Sequence, residues 1–457
     1  MNGDPMRAVD AQWAWSPYVP SAGAPWDRRR AAHLYRRAGL GADAPTLDAA
    51  LRMTPAEVVD SLFRAGPDAD RFDRSAAALA NATLAFNDPK RLSAAWVYRL
   101  AFTPEPLREN MTLFWHGHFA TSADKVDDAK LMWRQNELLR RHALGDFKEL
   151  AQRIAQDPAM LIYLDSAINR KAHPNENFAR ELMELFCLGE GHYSEGDVLE
   201  LARCFTGWEI KNDRFRKNRY QQDTGEKCVL GVRGKWDGED AVDVVLQQPS
   251  VELFLARKWY RYFIADEPAP SDEFLQPIAQ TFREHDLETA PAIGQLLRSS
   301  WFFSEHAIAR KIKSPVNLVI GMLRSLSCTT NMDQVATSLI DIGQGLFYPP
   351  NVKGWEGGRD WINSSTLLGR SNLFAKILDD KTTRFGGTTL AGYLASLDKH
   401  DAQAAIDFFE SLLLAVPLDG ETKRDLLQAA EQIGGDFERS LRAVLHGIVS
   451  LPQCQIA

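Results

Sequence analysis

No stretch of about 20 consecutive apolar residues, the length a helix needs to span a bilayer, occurs anywhere in the sequence. The first thirty residues also lack an apolar run of roughly seven residues behind a basic start, the mark of a secretory leader, so the default compartment is the cytoplasm. Cysteine is scarce: the five thiols at Cys187, Cys204, Cys228, Cys328 and Cys454 lie far apart, are odd in number and never pair as CxxC. That pattern argues against a disulfide framework and against a cysteine zinc site. Net positive charge is absent as well. A formal charge of -8 repels phosphate backbones, so neither nucleic acid nor an anionic membrane is an expected partner. The one basic cluster, Lys211, Arg214, Arg216, Lys217 and Arg219, reads as a solvated loop. Strand alternation is rare, and there is neither a repeat of fixed period nor a low-complexity segment, which removes support for solenoid architectures.

What is present is the composition of a chain able to bury a large core, 45% hydrophobic and 25% charged over 457 residues. Helix punctuation recurs throughout. Thr54, Pro55 and Glu57 form a capping box, Asp146 with Glu149 and Ser194 with Asp197 cap further helices, and Thr103–Pro104, Asp157–Pro158 and Ser314–Pro315 pair an N-cap with a proline in the first turn. Together these predict an all-α, multi-helix globular assembly. Residues 209–240 are the exception: glycines and charges replace the helical period, and a short hairpin or ordered loop is expected there. A second irregular stretch from Phe347, FYPPNVKGWEGGRDWINSS, is too apolar for a flexible linker and should pack over the helices. After Thr388 the chain reads as four amphipathic helices. The expected organisation is an irregular segment over 1–30, a helical core over 31–387 that carries the motifs, and a C-terminal helical segment over 388–457 packed on that core.

Two stretches carry chemistry. In a helix from 104 to about 119, Leu107, Met111, Phe114 and His118 share one stripe, which points His118 inward. His116 lies about 200 degrees away on the same helix, so both imidazoles reach one metal only if the helix unwinds near Gly117. In PNENFARELMELFCLGEGHYSEGD, with Asn175 as N-cap, Asn177, Glu181, Glu184 and Leu188 adjoin the apolar face of Phe178, Leu182, Leu185 and Phe186. Glu181 is thereby set at the edge of the core, where a carboxylate has to be paired, protonated or metal-bound. The plainer reading is a salt-bridged surface built by Arg180, Glu176 and Glu184, with Glu181 capping a neighbouring helix. Lys227, beyond the turn at Asp223, is a candidate anion ligand, as are Lys125 and Lys130. Trp355 and Trp361, with Lys353 and Arg359, are suited either to a flat or sugar-like ligand or to anchoring the core.

Three ordered stretches, WHGHF at Trp115, NENFARELMELFCLGEGHYSEGDVLELARCFTGW at Asn175 and PPNVKGWEGG at Pro349, resemble a large bacterial family known only as domain of unknown function number eighteen hundred. AAHLYRRAGLGA at Ala31 is similar to its start. The resemblance implies one mostly helical unit, often exported and often encoded beside a sulfatase-like companion protein, with motif positions on Trp115, His116, His118, Asn175, Glu176, Asn177, Arg180, Glu181, Glu184, Gly207, Trp208, Asp223, Lys227, Gly354 and Trp355. Gln222 and Phe186 stand where relatives carry histidine, which puts an imidazole-rich metal site in question here.

The first functional expectation is a metal-assisted enzyme, hydrolase before oxidoreductase. In it His116, His118, Glu181 and Asp223 hold a divalent ion (Zn, Fe or Mn), while Glu181, Glu184, Arg180 and Lys227 do the chemistry, and Asn177, Trp355, Trp361 and Lys353 bind substrate. The alternatives are a non-catalytic assembly protein whose polar motifs lock helix to helix, and a metal-free enzyme acting on a glycan.

Overall fold

In the computed structural model, which describes residues 9–434 and 436–457, the chain is mainly α-helical, with 24 α-helices and three two-stranded sheets among the described residues. Residues 1–8 of the expected N-terminal segment lie outside the described residues. The next part of that segment forms a short helix, Ala11–Trp15, whose Trp15 Nε1–H donates to the carbonyl of Phe274 at 2.6 Å. No helix among the described residues is long and apolar enough to cross a membrane.

The caps behave as their chemistry requires. Thr54 and Glu57 close a reciprocal box, Ser194 and Asp197 another, Asp157 accepts from Met160 N–H, Ser314 from Asn317 N–H and Asp146 from Lys148 N–H. One start differs. Thr103 takes the N–H of Glu105, and the helix begins two residues later than the Thr103–Pro104 pair suggests, as Pro106–His118, with no side-chain cap. The region 209–240 holds two hairpins instead of one, Trp208–Lys211 with Arg214–Lys217 and Lys227–Val229 with Val232–Gly234. Four residues of the basic cluster, Lys211, Arg214, Arg216 and Lys217, fall on the first of them, where Arg216 pairs with Glu209, and Lys217 with Asp237 and Glu239. The four helices after Thr388, Leu390–Ala395, Ala402–Leu413, Gly420–Ile433 and Phe437–Ser450, share a hydrophobic cluster with the rest that runs from Ala14 to Cys454.

The Pro106–His118 helix lies at the centre and is buried nearly all round. Burying a helix on every side forces its polar residues to find partners inside. Asn110 donates to the carbonyls of Arg37 and Ala38 and accepts from Tyr262 Oη at 2.7 Å. Glu109, 2% exposed, receives Arg140 Nε and Nη2, both at 2.8 Å, and the indole N–H of Trp96 at 2.5 Å. Burial alone would raise the Glu109 pKa, but the Arg140 guanidinium outweighs it and the carboxyl ends below its ordinary value. Glu109→Leu should therefore cost about 3–5 kcal/mol of unfolding free energy by leaving the buried Arg140 guanidinium with only Glu137 and Asn136 as partners, while adding Arg140→Met should recover most of that loss. Denaturant unfolding of the single and double variants checks this; a double variant no more stable than the single one contradicts it.

Candidate functional site

The helix Asn177–Glu181 runs directly into a wider, π-helical turn, Leu182–Cys187, in which the N–H of Leu188 reaches back five residues to the carbonyl of Met183 at 2.8 Å. A helix end leaves carbonyls without partners, and here two side chains from other helices supply them. His118 Nε2 lies 3.0 Å from the carbonyl oxygen of Phe186, and Lys258 Nζ, from the helix Ser250–Phe263, lies 2.8 Å from that of Leu185. Lys258 Nζ is also 3.1 Å from His118 Nδ1. Since a carbonyl only accepts, His118 Nε2 carries the proton and Nδ1 presents its lone pair to Lys258. Burial first, and then the nearby ammonium, hold His118 well below the usual imidazole pKa, in keeping with a neutral ring. Lys258 is itself pushed down to about 7, chiefly by burial. No carboxylate pairs with it among the described residues; beyond its two acceptors it has only the ring of Phe254, whose centroid is 4.7 Å away.

His118 and Lys258 sit on the wall of a cavity of about 250 Å³. Its other walls bring Phe114 and Gly117 from the central helix together with Arg261 and Tyr262, the pair Asp266 and Lys311, and Lys353, Trp355 and Trp361 from the irregular loop. Lys311 and Asp266 form an ion pair of 2.6 Å, and Asp266 also accepts the N–H of Ile312. Burial pushes Lys311 down to about 8 against the pull of Asp266. Among the described residues Arg261, which is exposed, makes no side-chain bond, and the buried indole N–H of Trp355 has no partner.

The loop is fastened from below. His116, 1% exposed, accepts the N–H of Phe347 at Nε2 (3.2 Å) and packs against Trp96, Phe347 and Trp355. Burial lowers its pKa to about 3. Gly354 has φ +77, and a Cβ there would stand 2.1 Å from the carbonyl oxygen of Gly117, so loop and helix meet backbone to backbone.

The expected metal ligands do not converge. His116 and His118 leave the central helix in different directions, one to the loop and one to the π turn, each with a backbone partner. Asp223 pairs with Arg203 at 2.8 Å and caps Gly225 N–H within the hairpin region. Among the described residues no group of three or more His, Cys, Asp or Glu side chains is arranged to hold a metal ion. Thus the donor set proposed for Zn, Fe or Mn is not assembled. Lys227 is 2% exposed and spends its ammonium on the carbonyls of Asp223, Gly225 and Trp236, which holds the second hairpin and leaves no donor for a substrate.

The glutamates are split between roles. Glu184 accepts from Tyr193 Oη at 2.5 Å and makes no ion pair among the described residues, while Arg180 pairs with Glu195 and Glu176, of which the plainer surface reading anticipated only Glu176. Glu181 is half-buried and has no hydrogen-bond partner among the described residues; burial and then the charge of Glu184 raise its pKa, opposed by Arg180 and Lys353. Asn177 is exposed, its N–H taken by Asn175 Oδ1. Phe186, where an imidazole was expected in relatives, is fully buried against the His118 and Phe119 rings. Of the predicted substrate residues, Trp355, Trp361 and Lys353 do line the cavity.

Lys258, Arg261, Asp266 and Lys311 were not anticipated. A signal for Lys258 existed: Phe254, Lys258 and Tyr262 recur every four residues, a cation on an aromatic stripe. Gly354→Ala should destabilise the protein by about 1–3 kcal/mol through strain and the clash with Gly117. It should also speed proteolytic cleavage within residues 347–361; cleavage and melting temperature both equal to the parent's would refute the contact.

No curated protein and no solved structure matches the chain. The family described as a protein of unknown function (DUF1800) matches residues 33–456, and the chain belongs to that family.

Proposed function

We propose that the cavity is an active site for a small organic anion with a ring-shaped or flat body, and that Lys258 is its proton-exchanging group. The observation that carries this reading is the Lys258 amine, set in a cavity wall between His118 Nδ1 and the Leu185 carbonyl with no carboxylate to neutralise it. A desolvated lysine of this kind is a base near neutral pH, since burial disfavours the charged form. Once neutral, the amine has two N–H groups. Both are used by His118 and Leu185, so the lone pair is left for a ligand. Arg261 and Lys353 supply charge for the anion, the first in a fork suited to a carboxylate, sulfate or phosphate, and Trp355 with Trp361 supplies the flat surface. The His116, His118 and Asp223 side chains that metal-assisted hydrolysis would call on have separate partners, which favours the lysine-centred reading.

A second reading is favoured by the same bonds. His118 and Lys258 close the carbonyl end of the π turn, His116 pins the loop and Lys227 the hairpin, so the polar motifs can serve as locks in a non-catalytic assembly protein.

The two readings differ in what Lys258 does in water. Under limited acetylation across pH, with peptide mass spectrometry as readout, Lys258 should titrate with a midpoint about 3 units below exposed lysines, whose ordinary value is roughly 10.4. Its folded pKa, about 7, lies below the unfolded one, so the folded state binds fewer protons between those values and stability rises with pH there. The penalty is complete below pH 7. The melting temperature of Lys258→Met relative to the parent should accordingly be most favourable below pH 7 and least so near pH 10. A panel of sugar acids and aromatic carboxylates should raise the parent's melting temperature, with the rise lost in Lys258→Met and Arg261→Ala. If Lys258 labels like an exposed lysine, or no anion shifts the parent, the active-site reading falls and the assembly reading stands.

A further inference from the structure

Behind the cavity just described, this acidic chain buries four cations together. Arg36 and Arg37 end the helix Arg28–Ala38, Lys313 precedes the helix Pro315–Ser325, and Arg370 comes from the helix Ser364–Asp379. Their exposures are 8%, 3%, 8% and 1%. None of the four has an ion-pair partner among the described residues, and Lys313 feels the repulsion of Arg36, Arg37 and Arg370. Buried cations without counter-charge are disfavoured unless their donors are met and a negative charge is near.

Three of them are partly met by oxygen atoms. Arg370 donates to Gln455 Oε1 and to the carbonyls of Lys313 and Trp361, Arg37 to those of Ile264 and Ala307, and Lys313 to that of Leu413 at 3.3 Å. Arg36 is different: Nε and both Nη atoms are buried and none has a partner among the described residues. A guanidinium has five N–H donors in a planar fork, and here all five need an acceptor that the surrounding protein does not offer.

Arg36 and Lys313 line a separate cavity of about 20 Å³ together with Asn317, Ser325, Cys454 and mostly apolar neighbours. A site of that size takes one species about as large as water and excludes a tetrahedral oxyanion, since a single water already needs roughly 10–15 Å³. Burial pushes Arg36 down to about 10 and Lys313 to about 8, so both remain largely charged at neutral pH.

We propose that this cavity is a binding site for one small monovalent anion of the size of chloride, held by the Arg36 guanidinium and the Lys313 ammonium and serving as counter-charge for the buried cations. The site is structural, and it does not depend on what occupies the larger cavity. Two other species could satisfy Arg36: a water molecule, which brings no charge, and the Cys454 thiolate, whose side chain shares the cavity.

The test uses the full chain at fixed ionic strength and neutral pH, with sodium chloride or bromide replaced stepwise by sodium gluconate, an anion too large for the site. The melting temperature should rise saturably with chloride and bromide, by about 2–5 °C at a hundredfold excess over the dissociation constant. Arg36→Met should abolish that halide-specific rise, and Cys454→Ser should keep it. Crystals grown in bromide should give an anomalous peak beside Arg36. Equal melting in gluconate and halide would overturn the proposal in favour of water. Halide dependence that appears only in Cys454→Ser would overturn it in favour of the thiolate. If Arg36→Met fails to fold, the bromide peak in the parent decides: a peak beside Arg36 supports the site, and peaks confined to the surface overturn it.

Discussion

The carbonyl end of the π turn Leu182–Cys187 is the constraint from which the rest of the site follows. A turn that bonds five residues back widens the helix, and the carbonyls of Leu185 and Phe186 then need donors from outside. His118 and Lys258 provide them from two other helices, so three elements distant in sequence are fixed at one point. The His118 tautomer and the low proton affinity of Lys258 are consequences of that closure. Without it the amine would have no reason to stay inside an apolar wall.

The α-helical plan was legible because it is written in local chemistry. The Thr54, Ser194, Asp157 and Ser314 caps lie within three residues of the N–H groups they satisfy, and the four helices after Thr388 follow an apolar period that needs no knowledge of partners. His118 was correctly turned inward by its stripe with Leu107, Met111 and Phe114. The loop after Phe347 packs down as its tryptophans required, with Trp361 9% exposed.

The composition of the site was less legible, and for a physical reason. Sequence spacing gives direction around one helix but not the partner across the gap. His116 and His118 share a motif yet serve different neighbours, and Asp223 and Lys227 turn out to satisfy each other's loop. Glu181, at the end of the α-helical turn, is half-buried at the edge of the core as its stripe placed it, whereas the wider turn that follows, and the Tyr193 partner of Glu184, were not visible in the spacing. Lys258, Asp266 and Lys311 come from segments with ordinary helical or loop patterns, and only the fold sets them around one space.

The contact of Gly354 on the carbonyl of Gly117 has a consequence for recognition. Two backbones in direct touch leave no side chain between them to change rotamer, so the tryptophan wall cannot adjust its depth to a guest. Adaptation falls to the helix Ser250–Phe263, where Arg261 carries a long, flexible stem. Selectivity would thus be divided: body shape judged by a stiff face, charge position tolerated by a yielding one.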